Sequence, residues 1–193
     1  MTHGATGPAA DPVGEVLALL AARGHEHHGE VIDQRAHALQ CATLALADGA
    51  SDPLVAAALL HDIGHLVAAA DGVARTDLAV DDDRHEAVGA RWLAPRFGPT
   101  VARAVALHVV AKRYRCTVDP DYAATLSPTS GATLAAQGGV LSEEDADRFG
   151  RHPGAGDALR LRAWDEDAKV PDRSTPGIDT FVPLLTRVAV SRR

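Results

Sequence analysis

Apolar residues recur at three- and four-residue intervals through most of the chain, and the breaks fall at Pro, Gly and Asp clusters, so the pattern reads as successive helices. Asp11-Pro12 supplies an N-cap with proline at the first helical position, and Val13, Val16, Leu17 and Leu20 follow at helical spacing up to Gly24. The polar stretch His25-Glu26-His27-His28-Gly29-Glu30 has no period. A second helix is predicted from about Val31 to Ala47, closed by Asp48-Gly49. Ser51-Asp52-Pro53 repeats the cap-and-proline signal ahead of a run from Leu54 to Ala70 that is apolar on nearly every side, as a central, buried helix is.

Asp71 to Val80 reads as a polar loop, and Asp81-Asp82-Asp83 places negative charge at the start of a helix running to about Phe97. Gly98-Pro99 breaks the chain before another helix, which aligns Val101, Ala104, Val105 and His108 on one face with Lys112 one turn beyond. Further helices are predicted over Pro120 to Thr125, Thr129 to Gln137, Ser142 to Phe149, Asp157 to Lys169 and Asp179 to Val190. With no strand pattern, internal repeat or long linker, the reading is one all-α domain over residues 12–193 behind a disordered tail over residues 1–11.

Composition agrees and narrows the partners. Hydrophobic residues make up 46% of the 193 but aromatics only 4%, so the core is built from Ala, Leu and Val, as packed helices prefer. A net charge of −7 with no Lys and Arg run repels a phosphate backbone and excludes nucleic acid as a natural partner. No stretch approaches the roughly 18 apolar residues of a membrane span. Cys41 and Cys116 form neither a disulfide framework nor a Cys-x-x-Cys pair, which points to a reducing cytoplasm. A monomer or small homo-oligomer is expected. Ten histidines stand out, and they need a chemical reason.

His61-Asp62 lies within the most apolar run, where an ionised Asp is costly to bury without a partner, and a metal ion is a natural one. Adjacent helical residues diverge by about 100°, yet both side chains can reach one ion, while His65, four on from His61, returns to the same face. A hydrogen-bonded core His beside a capping Asp would give the same dipeptide. His37, His85 and His108 sit on three other predicted helices, so four helices can turn imidazoles inward, a known way to build a dinuclear site in a bundle core. Asp165 in Trp164-Asp165-Glu166-Asp167 supplies the remaining acid, unless that segment is a solvated helix end.

His37, His61-Asp62 and Asp165 resemble the HD-domain superfamily signature of a His, a distant His-Asp and a distant Asp. Within it, the stretch from about Gly29 to Lys169 resembles the mixed-valent di-iron oxygenases that cleave the carbon–phosphorus bond of 1-hydroxyalkylphosphonates. The residues that carry this are Leu60-His61-Asp62-Ile63-Gly64-His65-Leu66, His85-Glu86 with Gly89-Ala90 and Trp92-Leu93, Leu107-His108-Val109 with Ala111-Lys112-Arg113-Tyr114, and Thr133-Leu134 with Gln137-Gly138-Gly139.

The resemblance implies an HD-type helical bundle with two irons in its core, Fe(II) and Fe(III), and O2 as co-substrate. One iron falls to His37, His61, Asp62 and Asp165, the other to bridging Asp62 with His85 and His108. Four neutral imidazoles and two carboxylates leave about +3 on such a pair, which suits a small anionic organophosphonate. His65 and Lys112 are implied phosphonate contacts, joined by Ser130, Thr133 and Gln137 as hydrogen-bond donors. Relatives place a Tyr three residues before a Glu, the Tyr occupying a metal position until substrate displaces it. Here His27 stands three before Glu30, so the gating ligand position falls to His27 or to its neighbour His25 or His28. Glu30, facing a cationic amine in relatives with aminoalkyl substrates, permits a 1-hydroxy-2-aminoethylphosphonate, while loss of the Tyr keeps hydroxymethylphosphonate in play. The alternative from another reaction class is an HD-type metal-dependent phosphohydrolase acting on nucleotides, which needs no oxygen.

Overall fold

A computed structural model describes residues 11–27, 31–70 and 84–191; the expected tail, the 71–80 loop and the Asp81–Asp83 helix start lie outside the described residues, apart from Asp11. The described residues form ten α-helices, one 3-10 turn and no strand: α1 (Pro12–Arg23), α2 (Gln34–Ala47), α3 (Asp52–Leu60), α4 (Ile63–Ala70), α5 (His85–Val118), α6 (Pro120–Thr125), α7 (Pro128–Ala136), α8 (Glu143–Gly150), α9 (Ala155–Asp167), the turn Ile178–Thr180 and α10 (Val182–Val188). Caps set most of the starts. Asp11, Asp33, Asp119, Ser127 and Ser142 each accept a hydrogen bond from a backbone N–H three residues on. Because Asp33 is the cap, α2 begins at Gln34 and not at Val31.

α3 is the central element. Every residue from Leu54 to Leu60 is buried, and the helix packs on α2, α5, α9 and α10. Around it close Val16 of α1, Cys41 and Ala45 of α2, Leu93 and Val105 of α5, Leu161 and Trp164 of α9, and Phe181 and Leu185 at the C-terminal end. Alanines at the contacts allow the helix axes to approach closely, which is how so few aromatics fill the core. A second apolar cluster joins Ala111 to Leu141, Phe149 and Ala158. No single described helix is long and apolar enough to cross a membrane, and the apolar α3 and α4 are bent by 50° and largely buried.

That bend is the main departure from the predicted continuous helix over Leu54 to Ala70. The helical ladder is interrupted at His61 and Asp62, which form a turn, and resumes at Ile63. The interruption lets two consecutive side chains share one centre, where a straight helix holds them about 100° apart. The break expected at Gly98-Pro99 is present as a kink inside α5: Gly98 has φ 81° and ψ 174°, a conformation that favours glycine. Arg96 O at this kink accepts the Val190 N–H at 2.8 Å. The final predicted helix is shorter than expected, because Pro183 is tolerated only in a first turn; a 3-10 turn therefore precedes α10.

α4 and α5 cross at two glycines. A Cβ on Gly64 would overlap the His85 carbonyl oxygen and lie 2.9 Å from Gly89 N. This contact sets the start of α5 against the bend after α3. Gly64→Ala is therefore expected to destabilise the protein by about 1–3 kcal/mol in a denaturant titration, with a lower Tm; an unchanged midpoint would show that the crossing has slack.

Candidate metal centre

Four imidazoles meet at the bend. His37 comes from α2, His61 from the end of α3, and His85 and His108 from the two segments of α5; all four are buried. Three of them are oriented by backbone carbonyls. Nδ1 of His37 donates to Ala168 O at 2.9 Å, Nδ1 of His61 to Ala58 O at 3.0 Å, and Nδ1 of His108 to Val105 O at 2.7 Å. A carbonyl only accepts, so each of these Nδ1 atoms carries the proton, and in the neutral ring Nε2 presents a bare lone pair.

The Nε2 atoms then face each other in pairs, His37 to His61 at 3.2 Å and His85 to His108 at 3.1 Å. Opposed lone pairs at that distance repel unless positive charge lies between them. Two nitrogens roughly 2.1 Å from one ion, at right angles, stand about 3.0 Å apart, so each pair has the spacing of adjacent ligands on a transition metal. The donor set fits a metal in both gaps.

Asp62 sits between the pairs. Its Oδ1 is 3.5 Å from Nε2 of both His61 and His85 and 3.8 Å from that of His108, while Oδ2 is 3.9 Å from that of His37. Two sets of donors lie within 4.8 Å of one another, His37 with His61 and Asp62, and Asp62 with His65 and His85, and Asp62 is common to both. Asp165 Oδ1 closes the first pair at 3.3 Å from His37 Nε2 and 3.8 Å from His61 Nε2.

Charge at the centre follows from this packing. Burial opposes ionisation of Asp62, yet the surrounding His61, His65, His85 and His37 hold its carboxyl far below the usual range. Burial likewise opposes ionisation of Asp165, and Arg162 foremost, with the His37 hydrogen bond, overcomes it. Burial also works against charge on His37, but the hydrogen bond and charge of Asp165, with Asp62 behind, raise its pKa, so the first gap draws positive charge. Burial, then His85 and His61, push His108 down to about 3, which keeps it a neutral ligand.

The centre opens into a cavity of about 90 Å³. His65 stands on its wall, stacked on His85 with centroids 4.1 Å apart. Also on the lining, Lys112 Nζ donates to Thr133 Oγ1 at 3.0 Å, and Lys169 Nζ donates to Ser130 Oγ at 2.9 Å. Gln137 lines the same cavity with a buried Oε1 that has no hydrogen-bond partner. Thus His65, Lys112, Ser130, Thr133 and Gln137 are brought together around one space continuous with the metal donors.

His27 is not among them. The hydrogen bonds Gln34 N to Glu26 O and Arg35 N to Gly24 O pin the preceding segment to the start of α2, and His27 is exposed there and is not one of the residues lining the cavity. Glu30 lies outside the described residues.

Sequence reasoning missed two cavity cations, Arg162 and Lys169. It also missed Gln40, which exchanges hydrogen bonds with both backbone groups of Val170 and so fastens the chain after α9 to α2. The spacing Arg162, Asp165, Lys169, at one helical turn each, was the available signal.

Residues 35–137 match the HD-domain family. The chain is 38% identical over 169 residues to the hydroxymethylphosphonate dioxygenase of Gimesia maris, covering 88% of this chain and 84% of that protein. It is 35% identical over 167 residues to the glycine-betaine-forming 1-hydroxy-2-(trimethylamino)ethylphosphonate dioxygenase of Leisingera caerulea, covering 86% and 84%. An uncharacterized protein of Acanthamoeba polyphaga mimivirus is 32% identical over 164 residues, covering 84% and 74%.

Burial, with Arg162 and Lys169 near it, lowers the Lys112 pKa to about 8. An anion prefers the protonated lysine, so affinity for inorganic phosphate is expected to be full below pH 8 and to fall as pH rises through it. Calorimetric titration between pH 7.5 and about 9.5 reads this directly, since phosphate is already a dianion there. A flat profile would place Lys112 outside the binding site.

Proposed function

The chain belongs to the HD-domain family, and we propose that it is an oxygenase that uses O2 to break the C–P bond of a small 1-hydroxyalkylphosphonate, releasing phosphate and a carboxylic acid. The observation that carries this reading is one cavity lined both by transition-metal donors and by cations with hydroxyls. The smallest substrate of the class, hydroxymethylphosphonate, balances as one substrate plus O2 giving formic acid plus phosphoric acid, with both oxygen atoms retained in the products.

His37, His61, Asp62 and Asp165 would hold one iron and Asp62, His85 and His108 a second, and such an Fe(II)/Fe(III) pair would supply the redox chemistry with O2. The protein's own groups bind and orient. Lys112, Arg162 and Lys169 balance a phosphonate dianion, the Ser130 hydroxyl donates to its oxygens, and Thr133 does so on exchanging its bond to the Ser130 carbonyl for one to the anion. Rotation of the Gln137 amide adds a further donor and relieves its unpartnered state. With the phosphonate held there, C1 and its hydroxyl extend toward Asp62 and the imidazoles, and His65 stands beside them. Val109 and Ile32 supply apolar wall that excludes water.

Iron-loaded protein, partly reduced, is expected to release phosphate and formate in equal amounts from hydroxymethylphosphonate in air and neither without oxygen. Lys112→Ala is expected to lower kcat/KM by about 10- to 100-fold, the loss of one charge-assisted contact. Oxygen-independent phosphate release from nucleotides, with phosphonates untouched, would overturn the oxygenase in favour of a phosphohydrolase.

A further inference from the structure

Arg162 is 4% exposed, and its guanidinium is held from three directions. Nη1 donates to Asp165 Oδ2 at 2.5 Å, Nη2 donates to Glu166 Oε2, and Nε donates to the Tyr122 hydroxyl oxygen at 2.8 Å. A guanidinium has five N–H bonds. These contacts use three, which leaves one on each terminal nitrogen for a ligand in the cavity that Arg162 lines.

The three partners do different things. Asp165 and Glu166 lie on α9 with Arg162 itself, so they hold the two terminal nitrogens but leave the plane able to tilt about the line joining them. Tyr122 comes from α6 and grips Nε, which stops the tilt. It is well placed to do so. The residue is 6% exposed, its backbone N–H donates to Asp119 Oδ1 at 3.1 Å, and Arg115 stacks on its ring at 3.7 Å. Burial pushes its pKa up, so the phenol keeps its proton. That proton is directed at Glu166 Oε2, 3.4 Å away, which leaves an oxygen lone pair for Arg162.

We propose that Tyr122 is a positioning residue for the anion end of the cavity: it sets the plane of Arg162 so that the two remaining N–H bonds meet the oxygens of the bound phosphonate. This rests on the phosphonate reading above. Tyr122 touches neither substrate nor metal donors in this role and acts only through the guanidinium. A tilted guanidinium keeps its charge but loses its paired donor geometry, so the cost appears in binding of a tetrahedral oxyanion and not in assembly of the metal centre.

Tyr122→Phe keeps the ring, the Arg115 stack and the packing, and removes only the hydroxyl. Iron-loaded protein at pH 7 is titrated calorimetrically with inorganic phosphate. The affinity of Tyr122→Phe is expected to fall about 5- to 10-fold, with iron content unchanged, KM for the phosphonate raised and kcat held. In an Arg162→Lys background, which has no Nε–H to position, the same substitution is expected to change phosphate affinity no further. Equal phosphate affinity in Tyr122→Phe and the unaltered protein overturns the proposal, as does an equal loss in the Arg162→Lys background. Absence of phosphate binding by the unaltered protein overturns the anion-site reading itself, and this inference with it.

Discussion

The opposition of imidazole lone pairs is the constraint on which the rest of this structure depends. Backbone carbonyls of Ala168, Ala58 and Val105 take the Nδ1 protons of His37, His61 and His108, and the bare Nε2 atoms are thereby committed to the interior. Packing alone does not favour this, since without a metal the interior holds either opposed lone pairs or an extra buried proton on one ring. The arrangement is favourable with metal between the nitrogens, and Asp62 lies between both pairs, within reach of an ion in either gap.

The fold serves that constraint through two close approaches. Interruption of the helix at His61-Asp62 brings consecutive residues to one point, and the Gly64 crossing brings the start of α5, with His85, alongside. α9 then brings both kinds of lining together. Within residues 162–169 it and its C-terminal extension supply the cations Arg162 and Lys169, the carboxylate Asp165 beside His37 and His61, and the Ala168 carbonyl that orients His37. The Gln40 clamp on Val170 holds that extension to α2. Positive charge on the cavity lining and a carboxylate of the candidate metal donors are therefore set by one short segment, and Arg162 pairs with that carboxylate.

Much of this was legible in the chain. Helix signals are local, so Asp11-Pro12, Ser51-Asp52-Pro53 and Gly98-Pro99 marked boundaries within a few residues. His and Asp in apolar surroundings carry their own signal, because burying them needs a partner, and His37, His61, Asp62, His85, His108 and Asp165 do converge. The bend at His61-Asp62 was hidden, because both halves of that helix are equally apolar and nothing in the pattern changes at the break. Arg162 and Lys169 read as ordinary solvated charge on a helix end, and only the approach of α7 and α6 turns them inward. Tyr122 was silent for the same reason: its meaning lies in a contact 40 residues away. The place of His27 was not legible either, because spacing to Glu30 says nothing of the direction the chain takes after α1.

The central claim is that Asp62 couples two metal ions held by two imidazole pairs. Mössbauer and EPR spectra of protein loaded with isotopically enriched iron and partly reduced with ascorbate test it directly. The account predicts two irons per chain in a spin-coupled Fe(II)/Fe(III) pair, and loss of the coupling in Asp62→Ala. A single iron per chain, or two that are magnetically independent in the unaltered protein, would contradict it.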